Sequence, residues 1–299
     1  PTSLIYNWKN EFETFAPDLD VLVLHGNKNE RKELLKQIES KDVILTTYTI
    51  LKNDFNQLQN FTFDYCIIDE AQNIKNPYSQ NSEAVKQVNA KVKFALTGTP
   101  IENNLLELWS IFDFIMPGYL YSKNKFQEKF IKNQESLCNL KKQIQPFMLR
   151  RLKKEVLSQL PDKIETKFFI EMSEEQKKVY KTYVEDIKEK MKSTDFDKDK
   201  ITILSYLTTL RQLCLDPAIK VDNYKGDSGK INVLNEIVKD NIENNHKILI
   251  FSQFTSVLQN IGNELQKENI QYFYLDGKTN PKERVDLVDK FNKNENIRV

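Results

Sequence analysis

Tyr65-Cys66-Ile67-Ile68-Asp69-Glu70-Ala71-Gln72 is a short apolar run that ends on two adjacent carboxylates. Phe94-Ala95-Leu96-Thr97-Gly98-Thr99-Pro100 has the same form, with hydroxyls in place of the acids. Such runs are apolar throughout rather than alternating, which predicts parallel strands covered on both faces. A helix-like stretch from Ser82 to Val88 lies between them, giving one right-handed βαβ unit with neighbouring strand ends. In an open α/β sheet the carboxyl ends of the strands face the ligand crevice. One carboxylate there can hold Mg²⁺ through water, and the next can orient or deprotonate an attacking water. Thr97 and Thr99 beside Asp69 and Glu70 suit a relay that senses phosphate or nucleic acid. An acidic strand end and a capped turn give the same pattern, so at this point the chemistry stays open.

Working outward, Val21 to His25 and Val43 to Thr47 read as further buried strands, with a helix from Lys28 to Glu39 between them. The fold class is therefore α/β. Thr99-Pro100-Ile101-Glu102 predicts a capping box opening a helix from Ile101 to Met116, stopped by Pro117-Gly118. Residues 120 to 145 are Lys-rich and helical in pattern, and Pro146 to Arg151 is a candidate strand. Lys167 to Ile170 is strand-like, and Ser173-Glu174-Glu175-Gln176 is a second capping box, opening a helix to Met191. After a polar loop from Asp195 to Lys200, helices are expected over Ile201 to Leu215, Ile231 to Asn244 and Pro281 to Phe291. Strands are expected at Lys247 to Phe251, Tyr272 to Leu275 and from Ile297. A length of 299 residues suits two domains, expected at 1–161 and 162–299. Pro1 is no initiator Met, so a longer parent protein is expected.

Composition removes several functions. Lys and Arg total 44 against 43 Asp and Glu, so a net charge of +1 excludes a globally basic nucleic-acid coat but not a local basic stripe. No apolar run reaches the ~18 residues of a membrane span. Three scattered cysteines and two histidines give neither zinc spacing nor a disulfide framework, which fits a reducing cytoplasm. His25 and His246 have no nucleophile motif beside them. Trp8 and Trp109 read as core residues.

Gly277-Lys278-Thr279 and Gly229-Lys230 each look like the tail of a phosphate loop. That loop needs a glycine five residues earlier, where Tyr272 and Tyr224 stand, so no Walker A loop exists in this chain. A glycine turn whose N–H groups meet a phosphate backbone is the better reading of Gly277, with an ordinary turn as the alternative. Arg150-Arg151-Leu152-Lys153-Lys154 is the densest basic run, either a solvated face, a nucleic-acid contact or an interdomain hinge.

Taken in order, these motifs resemble the Swi/Snf family of ATP-dependent DNA translocases, within superfamily 2 of helicase-like proteins. Pro1-Thr2-Ser3-Leu4-Ile5-Tyr6-Asn7-Trp8 resembles motif Ia, and Ile44-Leu45-Thr46-Thr47-Tyr48 motif Ib. Ile68 to Asn76 resembles motif II in its bacterial-type form, and Leu96 to Asn103 motif III. Arg150-Arg151 through Leu160-Pro161 is similar to the segment joining the lobes. Ile248 to Phe254 resembles motif IV, and Tyr274 to Thr279 the nucleic-acid-facing turn after it.

The resemblance implies two RecA-like parallel-sheet lobes, both incomplete here, with inserted helical protrusions. The first would lack its phosphate-loop segment and carry a helical insertion at about 105–145. The second part would be a helical segment followed by the start of lobe 2. ATP and Mg²⁺ are implied for the full-length parent, with neither bound tightly by this stretch alone. Asp69 would coordinate Mg²⁺ and Glu70 would activate water. Gln72, Thr97, Gly98 and Thr99 would couple hydrolysis to lobe movement, with Arg150 and Arg151 between the lobes. Thr2, Ser3, Thr46, Thr47, Ser252, Gln253, Gly277, Lys278 and Thr279 would contact the DNA backbone. The implied partners are double-stranded DNA and a DNA-bound protein complex, such as a transcription complex, in the nucleoid of the cytoplasm and away from membranes. The other readings are a strand-separating helicase and a non-catalytic scaffold that binds DNA or partner proteins. In that family the motif V and VI segments, with their arginine fingers, would follow the stretch matched here.

Overall fold

The computed structural model describes all residues except 102–103, 134–136, 158, 160 and 193–198, together with the side chain of Lys154. The chain divides into two compact units, Pro1–Pro161 and Asp162–Val299. It is a mixed α/β protein whose strands pair in parallel.

In the first unit, α1 (Ile5–Phe15) leads to β1 (Val21–Val23), α2 (Lys28–Leu35), β2 (Val43–Leu45) and α3 (Tyr48–Asn53). β1 and β2 pair in register Val21↔Val43. Asn27 caps α2 through a full capping box with Glu30, and Thr47 caps α3. Leu22, Leu24, Ile38, Ile50 and Leu58 form the core between these elements. Arg31 and buried Asp54 clamp the edge with two bonds of 2.5 and 3.0 Å.

β3 (Phe63–Ile68) and β4 (Ala90–Ala95) pair in register Phe63↔Ala90 through Ile68↔Ala95. The helix Gln80–Lys86 crosses between them, capped by Ser79. Cys66, Ile68 and Ala95 turn toward a core of Ala71, Ile74, Val85, Ile111 and Phe114. The opposite face is open among the described residues: Tyr65 is 65 % exposed, Ile67 59 % and Phe94 48 %. The expectation of two covered faces is therefore corrected. Side chains alternate along a strand, and helices pack against one face of this pair only.

The helix Leu105–Ile115 is buried nearly all round. Ile111 and Phe114 belong to the sheet core, while Leu108, Trp109 and Phe112 belong to a second core with Leu120, Phe126, Phe130 and Leu140 from the inserted helices. Asn104, not Thr99, caps it. The predicted capping glutamate, Glu102, lies outside the described residues. Pro146 to Arg151 is a 3₁₀ turn at Gln145–Phe147 followed by extended chain, not a strand. Lys167 to Ile170 forms no ladder either, and Phe169 is 95 % exposed. The predicted loop at 195–200 lies largely outside the described residues.

The second unit holds helices Glu174–Met191, Lys200–Leu215, Gly229–Glu243, Thr255–Lys267 and Pro281–Lys293. Extended segments at 247–251 and 272–275 flank 297–299, joined by Ile248 N–H to Arg298 O at 2.8 Å and Phe273 N–H to Val299 O at 3.0 Å. They are too sparsely bonded to count as strands, yet Ile248, Ile250, Tyr272 and Val299 pack on Val238, Val257, Ile261 and Leu265 as sheet residues do. Gly229 is required by close approach: a Cβ there would lie 2.2 Å from the Glu171 carbonyl oxygen. Its glycine thus has a packing reason.

Candidate active site and nucleic-acid interface

The parallel register ends β3 and β4 side by side, and Leu96 N–H to Ile68 O at 2.8 Å carries the ladder one step further. Asp69 and Glu70 leave β3 at that point. Glu70 adopts a left-handed backbone, φ 51° and ψ 54°, which costs roughly 1–2 kcal/mol for a residue with a Cβ. Ala71 N–H to Leu96 O at 2.9 Å and Asn73 N–H to Glu70 O at 2.9 Å hold the turn in place.

A line of hydrogen bonds then crosses from one strand end to the other. Asp69 Oδ1 accepts from the Glu70 N–H at 2.8 Å. Gln72 Nε2 donates to Glu70 Oε2 at 2.5 Å, and Thr97 Oγ1 donates to Gln72 Oε1 at 2.8 Å. The Thr99 N–H donates to Thr97 Oγ1 at 3.1 Å. Asp69, Glu70, Gln72 and Thr97 are half-buried, so they are ordered yet reachable. Gly98 is exposed, with open space where a Cβ would project.

Two aromatic side chains that sequence reasoning did not place here complete the surroundings of Asp69. Trp8 Nε1 donates to Asp69 Oδ2 at 3.0 Å. Tyr48 Oη donates to the Asp69 carbonyl at 2.7 Å. Burial, then the nearby charge of Asp69, Cys66 and Glu70, pushes the Tyr48 phenol well above its ordinary value, so it stays a donor. The expectation of Trp8 as a plain core residue is corrected. Trp109 does fit that description, with its N–H on the Tyr121 carbonyl at 3.1 Å. Nothing local in the sequence points Trp8 toward a residue 61 positions away.

Asp69 suits a divalent cation of the hard, oxygen-loving kind. Each of its oxygens accepts one bond and keeps further acceptor capacity. One carboxylate with acceptor capacity to spare suits Mg²⁺, which retains most of its water.

The remaining predicted residues lie on other elements. Thr2 and Ser3 are exposed on a 3₁₀ turn leading into α1. Thr46 donates to the Leu24 carbonyl at 3.3 Å. Thr47 is only 5 % exposed and its hydroxyl accepts from the Ile50 N–H, so its side chain is spent on capping α3. Arg150 and Arg151 are exposed; Leu160, at the end of the same segment, lies outside the described residues, as does Asn103. In the second unit, Ser252 Oγ accepts from the Phe254 N–H at 3.2 Å, and exposed Gln253 accepts from Arg211. Asp276 Oδ1 accepts from the Lys278 N–H at 2.8 Å, and Thr279 Oγ1 accepts from the Asp276 N–H at 3.1 Å. Gly277 stands exposed at the tip of this turn with open space beside it.

Comparison with known proteins gives matches along nearly the whole chain. Residues 1–219 match the SNF2-related domain and residues 229–299 the helicase conserved C-terminal domain. The chain is 37 % identical over 295 residues to an uncharacterized ATP-dependent helicase of Mycoplasma genitalium, MG018, covering 98 % of this chain and 28 % of that protein. It is 33 % identical over 362 residues to the TATA-binding protein-associated factor MOT1 of Saccharomyces cerevisiae, covering 99 % of this chain and 19 % of that protein. Among solved structures, the Sulfolobus solfataricus SWI2/SNF2 ATPase core in complex with dsDNA is 38 % identical, with a TM-score of 0.51 over 100 % of this chain and 64 % of that one. The chain thus spans under a third of the length of these curated relatives. No described helix is long and apolar enough to cross a membrane. With acids and hydroxyls on adjoining parallel strand ends and both domain models matched in order, the chain belongs to the SNF2 family of helicase-like proteins.

Proposed function

We propose that the full-length protein hydrolyses ATP when it engages duplex DNA, and that hydrolysis drives it along the duplex to remodel DNA-bound protein. One observation carries this reading: the unbroken hydrogen-bonded line from Asp69 through Glu70 and Gln72 to Thr97.

In this reading Asp69 holds Mg²⁺ through water. When bound, the metal ion neutralises charge on the nucleotide phosphates. Glu70 takes the proton of the attacking water, and its left-handed backbone with the Gln72 bond fixes its carboxylate in place. Gln72 has its amide between Glu70 and Thr97, so a change in Glu70's partners alters the turn bearing Thr97, Gly98 and Thr99. Thr2, Ser3 and Thr46 in the first unit, and Ser252, Gln253, Gly277, Lys278 and Thr279 in the second, are assigned to the phosphate backbone. Hydroxyls, amides and backbone N–H groups grip phosphate without reading sequence. Thr47 serves the same surface indirectly, by shaping the start of α3. Arg150 and Arg151 are assigned to the joining segment. MOT1, named for its association with a DNA-bound factor, supports a nucleoprotein target, and the site of action is the cytoplasmic nucleoid.

Glu70→Gln in the full-length protein tests this. DNA-stimulated phosphate release should fall at least ~100-fold, the scale of a lost general base, while ATP and duplex DNA still bind. Stimulated release near wild type overturns the role of Glu70. Displacement of a strand from a tailed duplex by the wild-type protein would instead favour the strand-separating helicase.

A further inference from the structure

Both segments assigned to grip DNA in the first unit send one aromatic donor to the same residue. Thr2 and Ser3 lead into α1, whose Trp8 gives its indole N–H to Asp69 Oδ2 at 3.0 Å. Thr46 and Thr47 lead into α3, whose first residue, Tyr48, gives its hydroxyl to the Asp69 carbonyl at 2.7 Å. A tryptophan in a core ordinarily satisfies its N–H on a nearby backbone carbonyl, as Trp109 does on Tyr121. Trp8 instead spans 61 residues to reach a carboxylate.

We propose that Trp8 and Tyr48 are positioning residues that carry the state of the DNA-gripping segments to Asp69, so that duplex binding sets the orientation of the metal-holding carboxylate. The inference rests on reading Asp69 as that carboxylate. The physical basis is short. A hydrogen bond to a charged oxygen is strong and directional, and partners of this kind fix the rotamer of a metal-holding carboxylate. Tyr48 grips the main chain of the same residue, so the pair restrains Asp69 at its backbone and at its tip. A phosphate that shifts the turn before α1 or before α3 moves a ring directly attached to Asp69. Trp8→Phe removes the N–H and keeps an apolar ring, while Tyr48→Phe removes one oxygen. Each breaks one arm of the link and leaves every proposed DNA contact in place.

The test uses the full-length protein labelled with 5-fluorotryptophan, with the Trp8 resonance assigned by its loss in Trp8→Phe. Adding duplex DNA should shift the Trp8 resonance, Asp69→Asn should shift it too, and Trp109 should stay still under both. In Trp8→Phe and in Tyr48→Phe, duplex affinity should hold while the ratio of DNA-stimulated to basal hydrolysis falls ~10-fold or more, and the Mg²⁺ midpoint should rise. Tyr48→Phe carries the test alone if Trp8→Phe fails to fold. An unchanged stimulation ratio, or a Trp8 resonance indifferent to DNA, overturns the link. Stimulated hydrolysis surviving in Asp69→Asn overturns the reading beneath it, so the two failures are told apart.

Discussion

Gln176 shows how one side chain can serve the fold in a way its local pattern does not reveal. As the last residue of Ser173-Glu174-Glu175-Gln176 it is expected to reach back to the cap. Ser173 does its half, accepting from the Gln176 N–H at 3.1 Å. The Gln176 side chain, only 1 % exposed, instead donates to the Leu213 carbonyl at 2.9 Å and accepts from the Gly229 N–H at 3.3 Å. It thereby satisfies one helix's last turn and another's first. Gln176→Ala should destabilise the second unit by ~1–3 kcal/mol, because the buried Leu213 carbonyl and the half-buried Gly229 N–H lose their partner. Gln176→Glu should be no milder, since it keeps the acceptor, loses the donor and buries a charge. Urea denaturation of the two variants checks both; wild-type midpoints would contradict the argument. The placing of Asp69, Glu70 and Thr97 at neighbouring strand ends is legible from local pattern, while Gln72 enters through the motif resemblance. The bonds of Trp8 and Tyr48 are not legible, because a side chain's partner 61 or 21 residues away leaves no local trace.

Among elements, those with a strong local cause were read well. The cap at Ser173 and the strands β1, β2 and β3 follow from short-range pattern, while the helix expected over Ser82 to Val88 runs Gln80–Lys86 and the strand expected at Phe94 to Thr97 runs Ala90–Ala95. Starts of helices were read less well where two candidate caps compete. Thr99-Pro100 has the letters of an N-terminus, but Asn104 accepts from the Leu106 N–H at 2.8 Å and the helix begins at Leu105. The stretch Thr97 to Thr99 is committed to the site turn, which keeps it out of the helix. Asn104→Ala should therefore cost ~1 kcal/mol of stability, the usual worth of an N-cap. An Asn104→Ala midpoint equal to wild type in a thermal melt would overturn that cap. Strand faces were misread for a different reason. An apolar run tells that a strand can be buried on both sides, not that anything packs there, and Tyr65 and Phe94 stack on each other at 6.5 Å on the open side.

For the whole molecule, the α/β class and the order of elements came from periodicity, while the family came from the sequence of motifs. The segments of the second unit expected as strands fall at the expected places, and among the described residues the backbone of 297–299 meets them through Ile248 and Phe273. The two carboxylates proposed for catalysis, Asp69 and Glu70, sit in a chain of 299 residues that holds no Gly-x-x-x-x-Gly-Lys loop. Phosphate-cradling N–H groups supply much of the binding of a nucleotide in such sites. The isolated chain, given ATP, Mg²⁺ and duplex DNA, should therefore release phosphate no faster than the Glu70→Gln chain. Release clearly above that background would show that the chain is sufficient for hydrolysis.

The helix Leu105–Ile115 belongs to two cores at once, and this orders events during synthesis. Ile68, Ile74 and Val85 are made well before the residues that cover them, Ile111 and Phe114. At ordinary translation speeds that interval lasts roughly 2–10 s. The core beneath the strand ends bearing Asp69 and Thr97 is complete only once this helix has arrived. The inserted helices that fill its other side come later still. A ribosome that stalls before residue 115 would thus present a nascent chain with its acids already made and its hydrophobic floor still bare.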